Sequence, residues 1–133
     1  MGYLFEADPQ HNLLRCIWEG VVTDELLWEQ YCAAKALVAS HTLYRCINDF
    51  SGATRFDASS TIIERIARTP PIFGGAGTIL IIVAPKDLMF GLSRMFSTLS
   101  EPTRPNVHVV HTEEEAYALL GITSPQFSPI SVP

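Results

Sequence analysis

Residues 78–85 read TILIIVAP, and no other stretch limits the fold of this chain as strongly. From Ile79 to Ala84 every side chain is apolar, so an extended segment here is greasy on both faces. Such a strand must be covered on both sides, which is the situation of a parallel sheet with helices packed against it. The run is too short to cross a bilayer, where a helix needs about 20 apolar residues. The chain has 133 residues, 47% of them apolar and 17% charged. That is enough for one domain with its own core, and far from a disordered composition.

The flanking sequence supplies the helices. GYLFEA and NLLRCIWEGVV are strand-like and are separated by DPQH, where Asp8-Pro9 and Asn12 carry turn chemistry, so a hairpin is expected. Thr23 is positioned to cap a helix from Asp24 to about Ser40, with Asp24 and Glu25 where the helix dipole favours acids. YRCINDF reads as the next strand. A helix from about Ser59 to Arg68 should stop at Pro70-Pro71. The PIFGGAG loop then leads into the apolar run, and a helix from Lys86 to about Ser100 follows. NVHVVH is the last strand. Thr112 and Glu115 have the spacing of a capping box for EEEAYALL, which Gly121 should end. The order β-β-α-β-α-β-α-β-α predicts an α/β domain over residues 1–122. Its sheet is expected to be mixed, mainly parallel and five-stranded, with four helices. Residues 123–133 read as a Pro/Ser-rich tail, either flexible or docked through Phe127, Ile130 and Val132.

Several function classes lose support at this level. The net charge of −5 and the scattered basic residues argue against nucleic acid, which needs clustered Lys and Arg. Three cysteines, Cys16, Cys32 and Cys46, lack CxxC spacing, so neither a disulfide framework nor a zinc site is indicated. His108 and His111 are three apart on a strand and point to opposite faces, which is poor for a metal. No cofactor is expected. The N-terminus has no signal-peptide pattern, and Glu6 breaks the myristoylation pattern that Gly2 would begin. A cytoplasmic protein without stable membrane insertion is the expectation.

The most polar stretch is NDFSGATRFDASS, residues 48–60, at a strand-to-helix junction. A helix start leaves N–H groups without partners, and Asp57, Ser59 or Ser60 can accept from them, so capping alone accounts for these residue types. The same stretch, from Asp49 to Ser60, resembles the signature of STAS domains, the SpoIIAA-like fold of anti-sigma-factor antagonists. VAPKDLMFGLSRMFSTLSE is similar to the bacterial branch described as STAS/SEC14-like. The resemblance implies a non-catalytic interaction or regulatory module, with Asp49, Asp57, Ser59 and Ser60 in the working loop. It implies Ser59 as the phosphorylatable serine. Ala58 and Ser60 depart from the family's Ser and Gly at those positions.

Two further readings concern apolar surface. On the helix from Lys86, a 3.6-residue period puts Leu88, Leu92, Met95 and Leu99 on the core side, with Met89 and Phe96 on its flank. Phe90 falls opposite, and Trp28 lies off the core arc of the first long helix. Trp28, Phe90 and Phe127 are therefore candidate contacts for a protein partner or a homodimer. Alternatively, an apolar small molecule such as a lipid could enter beneath the 86–100 helix, lined by Leu88, Met89, Met95 and Phe96. A small hydrolase is the third reading. It lacks a G-x-S-x-G elbow and a metal-ligand motif, so no catalytic residues are assigned and the protein is not expected to be an enzyme.

Overall fold

The structure is a computed structural model in which residues 2–73 and 77–131 are described. Gly74-Gly75-Ala76 of the PIFGGAG loop lie outside the described residues, as does Val132 of the tail. The fold is α/β, with one mixed sheet of six strands and four helices. The elements are β1 (Tyr3–Asp8), β2 (Leu13–Thr23), α1 (Asp24–Ser40), β3 (Arg45–Asp57) and α2 (Ser60–Arg68). They continue with β4 (Ile79–Val83), α3 (Asp87–Ser100), β5 (Val107–Val110), α4 (Glu113–Leu120) and β6 (Ser128–Pro129). The strand order is β5-β4-β3-β2-β1-β6. Strands β2 to β5 pair in parallel, while β1 is antiparallel to β2 and to β6.

The expected hairpin forms through a 3-10 turn, Pro9–His11, closed by Asn12 in the left-handed region at φ 54°. Helix α1 has its Thr23 cap, which accepts from the Leu26 N–H at 3.2 Å. Helix α4 ends at Gly121, whose φ of 70° is a conformation that side chains disfavour. The sixth strand corrects the expected count of five. Pro129 stands opposite Glu6 and Ser128 opposite Ala7. Such a pairing is tolerated because Pro lacks only a donor, and an edge strand has a side with no neighbour to bond.

Each crossover from β2 to β5 steps to the next strand in the same direction. Right-handed connections therefore put α1, α2 and α3 on one face. The larger core lies there, around Leu14, Trp18, Leu37, Phe50, Ile63 and Phe96. Helix α4 follows the last crossover and covers the opposite face over Leu13, Ile47, Ile81 and Val83. The apolar run thus divides by parity, with Ile82 and Ala84 in one cluster and Ile81 and Val83 in the other.

Two expectations change. The strand expected over YRCINDF is longer: β3 runs on to Asp57, paired with β2 alone once β4 has ended opposite Asp49. The ribbon closes tightly, because a Cβ at Gly52 would meet the Trp18 carbonyl oxygen at 2.6 Å. The core face of α3 is rotated by one residue. Met89, Ser93, Phe96 and Ser100 are buried, whereas Leu88 is 63% exposed and Leu99 43% exposed.

Candidate functional site

The polar junction is built from three elements. The long β3 carries Asp57 about 26 Å of chain beyond Asp49, at roughly 3.3 Å per residue, so the two ends of the motif do not converge. Asp49 is buried, and its Oδ1 accepts the Ser51 N–H at 2.8 Å. Asp57 is exposed and lies 3.6 Å from Arg55. Ser59 caps α2, its Oγ accepting from the Ile62 N–H at 3.3 Å. Ser59 also donates from its N–H and its hydroxyl to the two carboxylate oxygens of Asp24, each at 2.7 Å. That pair ties the start of α2 to the start of α1. Ser60 is exposed in the first turn.

The aromatic candidates all have intramolecular neighbours. Trp28 stacks on Tyr31, with the Arg65 guanidinium 3.8 Å from its ring centroid. Phe90 stacks on His111 at 4.2 Å and 4°. Phe127 lies under the Arg15 guanidinium at 3.7 Å and packs near Tyr117. Arg15 is the hub of the α4 face. It donates to Glu6 at 2.6 Å, to Glu113 at 3.0 Å and to the Tyr117 hydroxyl at 3.0 Å. Burial, and after it the neighbouring Asp49 carboxyl, push the Glu113 carboxyl up, while Tyr117 and Arg15 oppose that shift. The tail closes over this cluster, with the Gln126 N–H donating to Asp8 at 2.9 Å and the Ile130 N–H to Phe5 O at 3.1 Å.

The other face holds a cavity of about 100 Å³ between the sheet and its three helices. Cys46, Phe50, Leu80 and Ile82 form its floor. Helix α1 contributes Leu27, Tyr31 and Ala34, and α2 contributes Ile63 and Ile66. Helix α3 contributes Leu92, Ser93 and Phe96. Of the lining residues expected on α3, Phe96 is present. Leu88 is exposed, Met89 is buried in the core and Met95 is half-buried. The cause is the one-residue rotation of the helix.

Four polar residues reach this apolar space: Gln30, Asn48, Ser93 and Arg104. Gln30 is 7% exposed and Ser93 8% exposed. Asn48 sits in mid-sheet between Cys16 and Ile82. Its Oδ1 accepts from Trp18 Nε1 at 2.6 Å. Gln30 lies near the Cys16 thiol, Cys16 is the register partner of Asn48, and both amides line the cavity. Burial pushes the Cys16 thiol up to about 12 against the opposing pull of Gln30, and burial pushes Cys46 up as well. Both are therefore neutral thiols of low nucleophilicity. Arg104 lies at the rim, donating to the carbonyls of Ala67 and Pro70 at the end of α2. Tyr31 donates its hydroxyl to the same Pro70 carbonyl.

Sequence reasoning passed over these four residues. Asn48 gave a usable signal, because it shares strand parity with the core residues Cys46 and Phe50. Ser93 and Gln30 signal nothing until the phase of their helices is known. A Ser–His contact would be one mark of a hydrolase. Among the described residues such a contact joins Ser40 Oγ and the adjacent His41 Nδ1, at 3.1 Å at the end of α1, where both also approach helix carbonyls. No group of three His, Cys, Asp or Glu among the described residues could hold a metal.

The class these features define is an α/β protein with a single mixed sheet and an apolar cavity roofed by three crossover helices. A scan against protein-family models and a search of curated proteins returned no match for the chain.

Proposed function

We propose that this protein is a non-catalytic module that binds a small, largely apolar molecule and acts as its carrier or sensor. The observation that carries this reading is the cavity beneath α1, α2 and α3. An apolar cavity with a few converging polar groups is the usual form of a small-molecule site. A void lined by such residues lowers packing energy, so a ligand that fills it would stabilise the fold. The element order and the Asp49–Ser60 stretch resemble STAS domains, which supports a regulatory use of the bound state in a bacterial cytoplasm. Self-association through Trp28, Phe90 or Phe127 has less support, because each ring is already seated against a neighbour.

Ser59 gives a second reading its footing, as a switch. A phosphate there would gain the N-terminal amides of α2 and face the Asp24 carboxylate, which now accepts from the Ser59 hydroxyl. It would loosen α1 from α2, two walls of the cavity. A mass spectrum of protein from its own cells, mapped to Ser59, tests this: added phosphate supports it, and an unmodified peptide throughout growth counts against it.

The cavity is tested with the neutral fluorescent probe N-phenyl-1-naphthylamine. Saturable enhancement is expected with the parent protein and not with Leu92→Trp, whose ring fills the space. A folded parent protein that gives no enhancement would overturn the reading.

A further inference from the structure

The polar groups in the cavity carry information about what it takes. Helix α3 has two buried serines seven residues apart. Ser100 closes its hydroxyl on the Phe96 carbonyl at 2.7 Å. Ser97 and Thr98 also donate to carbonyls, of Val107 and Arg94. Ser93 makes no side-chain hydrogen bond to another described residue, and this largely buried residue borders the cavity. Across the space, the Gln30 amide lies near the Cys16 thiol and has no oxygen or nitrogen hydrogen-bond partner among the described residues. Among the described residues the Asn48 side-chain NH₂ has no acceptor, and the amide bonds through its oxygen. Polar groups inside a protein are normally paired, with protein, water or a ligand. Gln30 and Ser93 are buried and Asn48 is half-buried, and the three border one cavity from α1, β3 and α3, where their polar atoms stay open to a ligand.

We propose that the ligand has an apolar body and a single uncharged hydrogen-bonding head, a hydroxyl, carbonyl or amide, held by Gln30, Asn48 and Ser93. This rests on the cavity being a ligand site. All three groups are neutral, and each amide or hydroxyl can both donate and accept. A carboxylate or phosphate at that depth would be a buried charge without a counter-ion. The cation that borders the cavity, Arg104, is at the rim and engaged by the carbonyls of Ala67 and Pro70. Its charge there complements the carbonyl end of α2.

Displacement of N-phenyl-1-naphthylamine by three chains of equal length, at pH 8, tests the head group. 1-Octanol is expected to compete at about tenfold lower concentration than octanoate, by the cost of burying an unpaired charge. 1-Chlorooctane reports the apolar body alone. In Ser93→Ala, and independently in Gln30→Met, octanol should lose about five- to tenfold in affinity. Chlorooctane should lose nothing. The Ala variant should melt no lower than the parent, because the helix gains propensity and sheds an unpaired hydroxyl. If octanoate competes as well as octanol, the head lies at Arg104; the cavity reading stands and this inference falls. Octanol binding that neither substitution changes overturns it too. If the probe itself does not bind, the cavity reading fails and takes the inference with it.

Discussion

Asp8 is the most deeply buried carboxylate of the chain, and its position explains why the tail is ordered over the sheet. It sits at the end of β1, caps the 3-10 turn and accepts from the His11 N–H at 3.3 Å. Its Oδ2 lies 2.7 Å from His11 Nδ1 and takes the Gln126 N–H. Burial alone would raise the carboxyl, but the Gln126 and His11 hydrogen bonds outweigh it and hold the group below the usual carboxylate range. A depressed native value means that the unfolded chain binds this proton first as pH falls. The stabilisation is therefore complete above the ordinary carboxylate range and is lost as pH drops through the lower, native value. Acid should release the tail before it unfolds the sheet. Limited proteolysis at stepwise lower pH is expected to cut within residues 123–131 first. Asp8→Asn should give that cut at neutral pH, and a tail that stays protected in Asp8→Asn would remove Asp8 as its anchor.

Helix α3 shows how two apolar patterns can compete on one element. Leu88, Leu92, Met95 and Leu99 follow helical spacing, and so do Met89, Ser93, Phe96 and Ser100, about 100° round the helix. Hydrophobicity favours the first set. The helix buries the second, because it packs beside α2 and over β5. The consequence is measurable in denaturant. Met89→Ala and Phe96→Ala should cost about 2–5 kcal/mol, as large-to-small changes in a packed core do. Leu88→Ala should cost less than about 0.5 kcal/mol, as for an exposed site. Equal losses at Leu88 and Met89 would restore the other face.

The molecule as a whole divides its work between the two sides of the sheet. The face of α1, α2 and α3 holds the cavity, and the face of α4 is held by the Arg15 cluster and the tail. Deleting residues 124–133 takes Phe127 from the Arg15 guanidinium and Gln126 from Asp8. A cation over an aromatic ring contributes about 0.5–2 kcal/mol, and the lost apolar cover adds to it. A loss of about 1–3 kcal/mol is expected from a urea transition. Probe binding should be unchanged, because the cavity lies on the other side of the sheet. A truncated protein that is equally stable would mean the tail is not docked in solution.

The local rules needed only short stretches of sequence. Thr23, Ser59, Thr112 and Gly121 took their cap positions because orphan helix groups choose such residues wherever they fall. The unbroken apolar run of β4 had to lie inside a sheet covered on both faces, whatever its neighbours. Chain order with right-handed crossovers then put three helices on one side. The length of β3 was not legible, because SGATRF carries turn residues and became strand only through the pairing offered by β2. The phase of α3 was not legible either, since it follows from which neighbours the helix meets. Gln30, Asn48 and Ser93 belong to three separate elements, and each alone is an unremarked polar residue. Their meeting around one cavity depends on the tertiary structure, because burial and the lack of a partner are properties of the surroundings and not of the residue.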